Sequence, residues 1–374
     1  MAMNIIRILL LVFVVSSGLF SREINVVDSS QAGADGPYVF YRDGKIYVNY
    51  VVMRDVGAKA VTQIYTDRQA AQLTCFIPET KEKFSFLLRD QLSVPASVYP
   101  ASKRMLVLSD IEGNFEAMKM MLLTAGVMDK QFRWTFGDGD LVLNGDFFDR
   151  GLNVTECLWL LYKLDGEAEA AGGRLHFILG NHEIMNLQGN YNYVRNKYIE
   201  NAKLLHLNYP DLYNQNTELG RWLRTKNSIE KIGDVVFCHG GISPKLAQSG
   251  LSLAEINKIA RKHLGVNEQE IKSPAARLIF DRNNGVFWFR GLAKTQTTVE
   301  DVDMIMEYLG AKRIILGHTL KKDLTAYYDG RVVCIDLYHE LNLQNGFAKA
   351  LLIEGDHFFG LDSSGSRSSI YSER

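Results

Sequence analysis

Cysteine is scarce in this chain: 374 residues hold four, at Cys75, Cys157, Cys238 and Cys334. None sits at CxxC or any other metal-ligand spacing, so no cysteine-based metal site and no disulfide pairing can be read. Cys157, Cys238 and Cys334 lie in strongly apolar runs and read as ordinary buried thiols. An excess of charge of one sign is missing too. Forty-two Lys and Arg nearly cancel 43 Asp and Glu, with no long basic block. That removes the electrostatic footprint expected of a nucleic-acid binder. After residue 21 no segment has the length of a membrane helix. No internal repeat is visible.

Residues 1–21 stand apart. Arg7 precedes the apolar run 8–15, and Ser16, Ser17 and Gly18 follow. This order reads as a cleaved secretory signal, too short for a comfortable membrane span, with an uncleaved anchor as the alternative. Residues 22–100 read as a β-rich extension. It opens on a polar, flexible lead-in at 28–35, and strands at 38–41 and 45–50 flank an Asp43-Gly44 hairpin turn. Residues 84–88 predict another strand, and Pro95 and Pro100 punctuate a linker. An extension of this size is expected to pack on the larger domain C-terminal to it rather than stand alone.

Residues 101–361 change rhythm. Apolar strands at 105–108, 141–143, 175–179, 235–238, 314–316 and 332–335 alternate with helical patterns at 115–123, 154–164, 253–263 and 299–309. Such alternation predicts an α/β core. Residues 185–232 read as mostly helical and aromatic-rich, and strands at 347–353 and 357–361 complete the sheets. Residues 362–374 read as a polar, Ser-rich tail without order.

Five short segments follow predicted strands and carry the chemistry. They are SDIEGN at 109–114, GDFFDRG at 145–151, GNHE at 180–183, CHGG at 238–241 and GHT at 317–319. Each alone has a bland reading: a surface turn, a helix cap, a core histidine. Together they supply the inventory of a binuclear divalent-metal site, which needs a bridging carboxylate, further oxygen and imidazole ligands, and open positions. Asp146 is the natural bridge. Asp110 and Glu112, two apart in one turn, can aim at one ion, while Asn181, His239 and His318 offer amide oxygen and imidazole nitrogen. Ligands in open α/β sheets gather beyond the strand ends, where all six fall. His182 follows Asn181, and Asp149 is placed to orient it and raise its pKa. Protonated, His182 could donate to a leaving alkoxide or phenoxide. Arg150 suits a two-pronged grip on phosphate oxygens, and Arg290, in WFRG at 288–291, is a second candidate.

These segments resemble the calcineurin-like metallophosphoesterases, in the branch that holds the phosphoprotein phosphatases. The family motifs GDxxDRG, GNHE and HGG are complete, and the resemblance spans residues 104–337. More narrowly the chain is similar to the bacterial Shewanella-like phosphatases. That likeness rests on DGPY at 35–38, GNHEIMNL at 180–187, GNYNYV at 189–194 and the WFRG segment. The resemblance implies two mixed β-sheets sandwiched between helices. It places a first ion on Asp110, Glu112 and Asp146 and a second on Asp146, Asn181, His239 and His318. His182 and Asp149 become an acid dyad, Arg150 and Arg290 phosphate binders, and a metal-bridging hydroxide the in-line nucleophile. With the leader, a bacterial relationship implies a periplasmic protein, full secretion being the alternative.

Two departures matter. Glu112 and Ser109 stand where the family has histidine and glycine. A charged oxygen ligand favours Mn²⁺ or Mg²⁺ over Zn²⁺, so Mn²⁺ is expected first, with Fe, Zn, Mg and Ni as alternatives. Asn190 and Asn192 stand where the closer group often has Asp and Arg, and Arg195 either replaces the lost arginine or lies on a solvated helix face. The expected activity is phosphate-ester hydrolysis on a phosphoprotein or a small phosphate ester, with no nucleic-acid partner. The aromatic stretch 191–213 is either substrate wall or packing core. The competing readings are a nucleotide or dinucleoside-polyphosphate hydrolase using the same site, and a weakened metal- or phosphate-binding module, for which Glu112 is the support.

Overall fold

The computed structural model describes residues 32–55 and 57–371. The expected leader, 1–21, lies outside them, as does the first half of the lead-in, 28–31. Two six-stranded mixed sheets form the body. One runs Arg367–Ser369, His357–Asp362, Lys349–Glu354, Arg104–Leu108, Asp140–Asn144, Arg174–Ile178. The other runs Thr325–Tyr327, Val332–Cys334, Arg313–Leu316, Val235–Cys238, Ile229–Ile232, Val98–Tyr99.

The central strands are apolar at successive positions because both of their faces are covered. In Arg104–Leu108, Met105 and Val107 pack against the opposite sheet with Val142, Phe237, Ile315 and Val333. Leu106 and Leu108 turn the other way, into the layer shared with the helices. Helix Val154–Ala170 packs on strand Arg174–Ile178, and helix Leu253–His263 on Ile229–Ile232. The helix starts follow local chemistry. Asn114 accepts from Ala117 N at 3.1 Å, and Ser252 and Glu255 form a reciprocal capping box. Among the described residues no helix is long and apolar enough to cross a membrane.

The N-terminal strands Asp35–Arg42, Lys45–Arg54 and Gly57–Tyr65 form an antiparallel sheet, and Gln72–Ile77 pairs with Glu82–Leu87. Asp43 and Gly44 turn the first hairpin with φ of 50° and 69°, the positive pair that a two-residue turn requires. This part shares its core with the body: Phe86 stacks on Trp159 at 4.8 Å, and Trp159 Nε1 donates to Pro37 O at 2.7 Å. All four cysteines are buried free thiols.

Four sequence expectations change. The linker contributes Val98–Tyr99, an edge strand parallel to Lys231 and Ile232. Residues 229–232 are a strand, not a continuation of the helical region. The Ser-rich end forms Arg367–Ser369, paired with Phe359–Leu361. The lead-in is anchored at its end, where Gly33 N donates to Asn201 Oδ1 at 3.1 Å. Each is held by backbone or side-chain bonds to distant residues, which leave no local periodicity to read.

One buried ion pair crosses between the sheets. His176 Nδ1 lies 2.6 Å from Glu230 Oε2, and Asp140 Oδ2 sits 3.8 Å from Nε2. Burial opposes the imidazolium, but Asp140 and Glu230 outweigh it and raise the pKa to about 9 from 6.5. A raised folded pKa stabilises the fold fully below 6.5 and ceases to do so as pH rises through 9. In urea unfolding, His176→Gln should therefore lose more stability relative to wild type at about pH 6 than at about pH 9.5. Equal losses at the two pH values would disprove the charged pair.

Candidate active site

Parallel register delivers the site. Leu108 pairs with Leu143, and Asn144 with Ile178, so the turns bearing Asp110, Asp146 and Asn181 leave one sheet edge together. In the facing sheet Phe237 pairs with Ile315, and Leu316 with Cys334, so His239, His318 and Asp336 leave the matching edge. Asn144 ties the two edges, its Nδ2 donating to Cys238 O at 3.1 Å and Ile315 O at 3.2 Å. The first two turns zip together through backbone bonds from Asp110 N to Gly145 O (2.9 Å) and Glu112 N to Asp146 O (3.0 Å).

Such close approach explains the glycines that precede the ligand candidates. A Cβ on Gly317 would collide with Ser109 Oγ and lie 2.5 Å from Asp110 Oδ2. On Gly145, whose φ is +87°, it would lie 2.5 Å from His239 Nδ1. Asp110, Glu112, Asp146, Asp149, Arg150 and His318 all have left-handed backbones, φ 49–72°. Such strain costs about 1–3 kcal/mol per residue and persists only where the surroundings over-determine the loop.

The structure joins most of the predicted residues. Donor atoms of Asp146, His239 and His318 lie within 4.8 Å of one another, and so do those of Glu112, Asp146 and His182. Asp146 belongs to both sets. His239 Nδ1 must donate to Asn144 O at 2.8 Å, because a carbonyl only accepts. That leaves Nε2 facing Asp146 Oδ2 at 2.9 Å and Asn181 Oδ1 at 3.0 Å. His318 Nε2 likewise donates to Trp288 O at 3.1 Å, which leaves Nδ1 as the acceptor nitrogen, met by Arg290 Nη2 at 3.4 Å. Burial, together with His239 and Arg290, pushes the His318 pKa down to about 2, which keeps the ring neutral as a ligand must be.

His182 and Asp149 meet as expected, Nδ1 to Oδ2 at 2.5 Å. Burial opposes the charged ring, yet Asp146 and Asp149 lift its pKa to about 9. Two residues without a predicted role extend this pair. Asn186 Nδ2 donates to Asp149 Oδ1 at 3.0 Å, and Tyr209 OH donates to Asn186 Oδ1 at 2.6 Å. Glu183 is a third such residue. Fully buried, it accepts from the backbone N–H of Asp146 (2.9 Å), Phe147 (2.7 Å) and Gly180 (2.7 Å), fastening the Asp146 turn to the helix that carries His182.

Other placements differ from expectation. Glu112 ion-pairs with Arg150, so a ligand candidate and a phosphate-binding candidate hold each other. The Asp110 carboxylate accepts from Ser109 Oγ at 2.5 Å and from His318 N at 3.1 Å. Arg290 donates to His318 O and, at 3.2 Å, to Thr319 Oγ1, so it also buttresses the His318 turn. Arg195 is exposed and donates to Arg150 O rather than simply facing solvent. The aromatic stretch divides: Tyr198, Tyr209 and Tyr213 are buried core, whereas Tyr191 and Tyr193 are exposed. Asp336 was missed. It lines the same cleft, of about 940 Å³, and burial with the charges of Glu112 and Asp146 pushes its pKa up to about 7. A lone Asp after an apolar run carries no motif that would single it out.

Carboxylate, amide and imidazole donors gathered round one shared oxygen pair, with arginines at the border, suit the hydrolysis of phosphate esters. The family model for calcineurin-like phosphoesterases matches residues 103–322, more than half of the chain, and the chain belongs to that family. It is a hydrolase of phosphate esters. Among similar proteins, Shewanella-like protein phosphatase 1 of Plasmodium berghei is 29% identical over 257 residues, covering 65% of this chain and 70% of that one. Shewanella-like protein phosphatase 2 of Arabidopsis thaliana is 24% identical over 328 residues, covering 75% and 81%. The crystal structure of a cold-active protein-tyrosine phosphatase from a psychrophilic Shewanella species superposes with a TM-score of 0.82 at 28% identity. It covers 91% of this chain and 100% of that one.

Replacing Glu183 by Gln removes the charge and one acceptor oxygen from this web of backbone donors. The variant should lose roughly 2–3 kcal/mol of stability in denaturant unfolding. A loss within experimental error of zero would show that Glu183 does not hold the Asp146 turn.

Proposed function

We propose that this protein is a metal-dependent phosphomonoesterase acting on phosphoproteins and exported to the periplasm or secreted. The observation that carries the reading is the double membership of Asp146 in the His239–His318 and Glu112–His182 clusters. The donors fit cations on their own chemistry. Around His239 Nε2, a nitrogen lone pair and two oxygens converge within about 3 Å, an arrangement that only a proton or a metal ion satisfies. Asp110, Glu112 and Asp146 would hold one ion, and Asp146, Asn181, His239 and His318 the other. Two divalent ions there would supply Lewis acidity toward the phosphoryl oxygens and the attacking water. The carboxylate-rich first set favours Mn²⁺.

The remaining residues have separable tasks. Asp149 occupies Nδ1 of His182, which directs the second ring proton, on Nε2, toward the cleft and a leaving oxygen. Cations on Asp146 would cancel its share in raising the His182 pKa, leaving Asp149 to hold the proton. Arg150 presents a guanidinium near the same Nε2, at 3.5 Å, and phosphate must compete with Glu112 for it. Substrate size and type follow from the rim. The cleft is open, and Tyr193, Leu320 and Tyr338 stand exposed beside it. The Tyr193 ring lies 5.3 Å from that of His182, where it can flank an aryl leaving group. This favours phosphotyrosine over phosphoserine, and the names of the similar phosphatases support a protein substrate.

Chelator-stripped protein should not hydrolyse p-nitrophenyl phosphate, and Mn²⁺ should restore turnover better than Zn²⁺, with phosphotyrosine peptide preferred to phosphoserine peptide. No turnover with any divalent ion, from folded protein, would end the monoesterase reading. Asp149→Asn weakens proton retention on His182. Its kcat/KM should therefore fall on the alkaline side at a pH roughly 1–2 units below that of wild type. An unmoved alkaline limb would remove His182 from the acid role.

A further inference from the structure

Asp336 is a buried carboxylate of the cleft that neither the sequence motifs nor the family likeness accounts for. It leaves strand Val332–Cys334 beside the turn that carries His318, since Ile335 N donates to Leu316 O at 2.8 Å. The residue is only 7% exposed and lines the cleft with Asp110, Glu112, His318 and Arg290. Among the described residues no hydrogen bond or ion pair reaches its carboxylate. Of the neighbouring charges, Glu112 acts on Asp336 most strongly, and Asp336 acts on Asp110 most strongly. A largely buried carboxylate without a protein donor, set against two more carboxylates, is unfavourable when charged, and a cation among them would relieve the repulsion without protonating it.

Resting on the metal-dependent reading above, we propose that Asp336 is a further ligand of the first ion, sharing it with Asp110, Glu112 and Asp146. The set is then built from carboxylate oxygens, which suits Mn²⁺ or Mg²⁺. Asp336 would thus give the ion a further charged oxygen beside those of Asp110 and Glu112.

Isothermal titration of the metal-free protein with Mn²⁺, paired with thermal unfolding, tests this. Wild type should show two binding steps. Asp336→Asn should weaken one of them by roughly tenfold or more and leave the other within about twofold. The metal-free variant should melt no lower than wild type, because removing one of several crowded negative charges relieves repulsion, while its gain in Tm on adding Mn²⁺ should shrink. Two unchanged binding steps in Asp336→Asn would overturn the assignment and leave the phosphoesterase reading intact. A lower metal-free Tm with both steps weakened alike would also overturn it, showing a role in folding only. Wild type that binds no Mn²⁺ would defeat the assignment together with the reading on which it rests.

Discussion

Crowding of negative charge at the meeting of two sheet edges governs this structure. Asp110, Glu112 and Asp336 line one cleft, Asp146 lies beside Glu112, and Glu183 is buried behind the Asp146 turn. Left alone, such a group repels itself and resists desolvation. The fold holds it together by means that lie outside the site. The apolar layer between the sheets fixes their separation, and Asn144 spans the gap with hydrogen bonds to both Cys238 and Ile315. Strained left-handed loops can then be maintained, because the strands on which they ride cannot move apart.

Around this centre the protein places different kinds of compensation. Glu183 directs its charge at backbone N–H groups and so shapes the Asp146 turn. Asp149 is met by His182 and Asn186, with Tyr209 behind them, a chain that sets the ring orientation and supports its proton. Glu112 takes Arg150. Among the described residues no hydrogen bond or ion pair reaches the Asp336 carboxylate, the gap that the proposed ion would fill. Stability and function are therefore opposed here, as expected of a site whose partners arrive from solution.

Much of this was legible in the chain. The five strand-end segments announced the candidate ligand types, and the pairing of His182 with Asp149 was expected from GDxxDRG and GNHE. Helices 253–263 and 299–309 carried their own caps and periodicity, and both match the structure. The Asp43-Gly44 turn declared its hairpin. What escaped was non-local. Val98–Tyr99 and Arg367–Ser369 are strands only because a neighbour's edge is available. Asn144 and Asp336 look like ordinary polar residues after apolar runs until the two sheets are brought face to face.

The sequence by itself determined which chemical groups exist, and it put each at the end of an apolar strand, since that much depends on residue type and short-range periodicity. Only the tertiary structure decided which groups meet. Whether Glu112 faces an ion or Arg150, whether Arg290 faces phosphate or the His318 turn, and whether Asp336 belongs to the site at all are set by strand order and register. Those come from pairings between residues far apart in the chain, which no local pattern encodes.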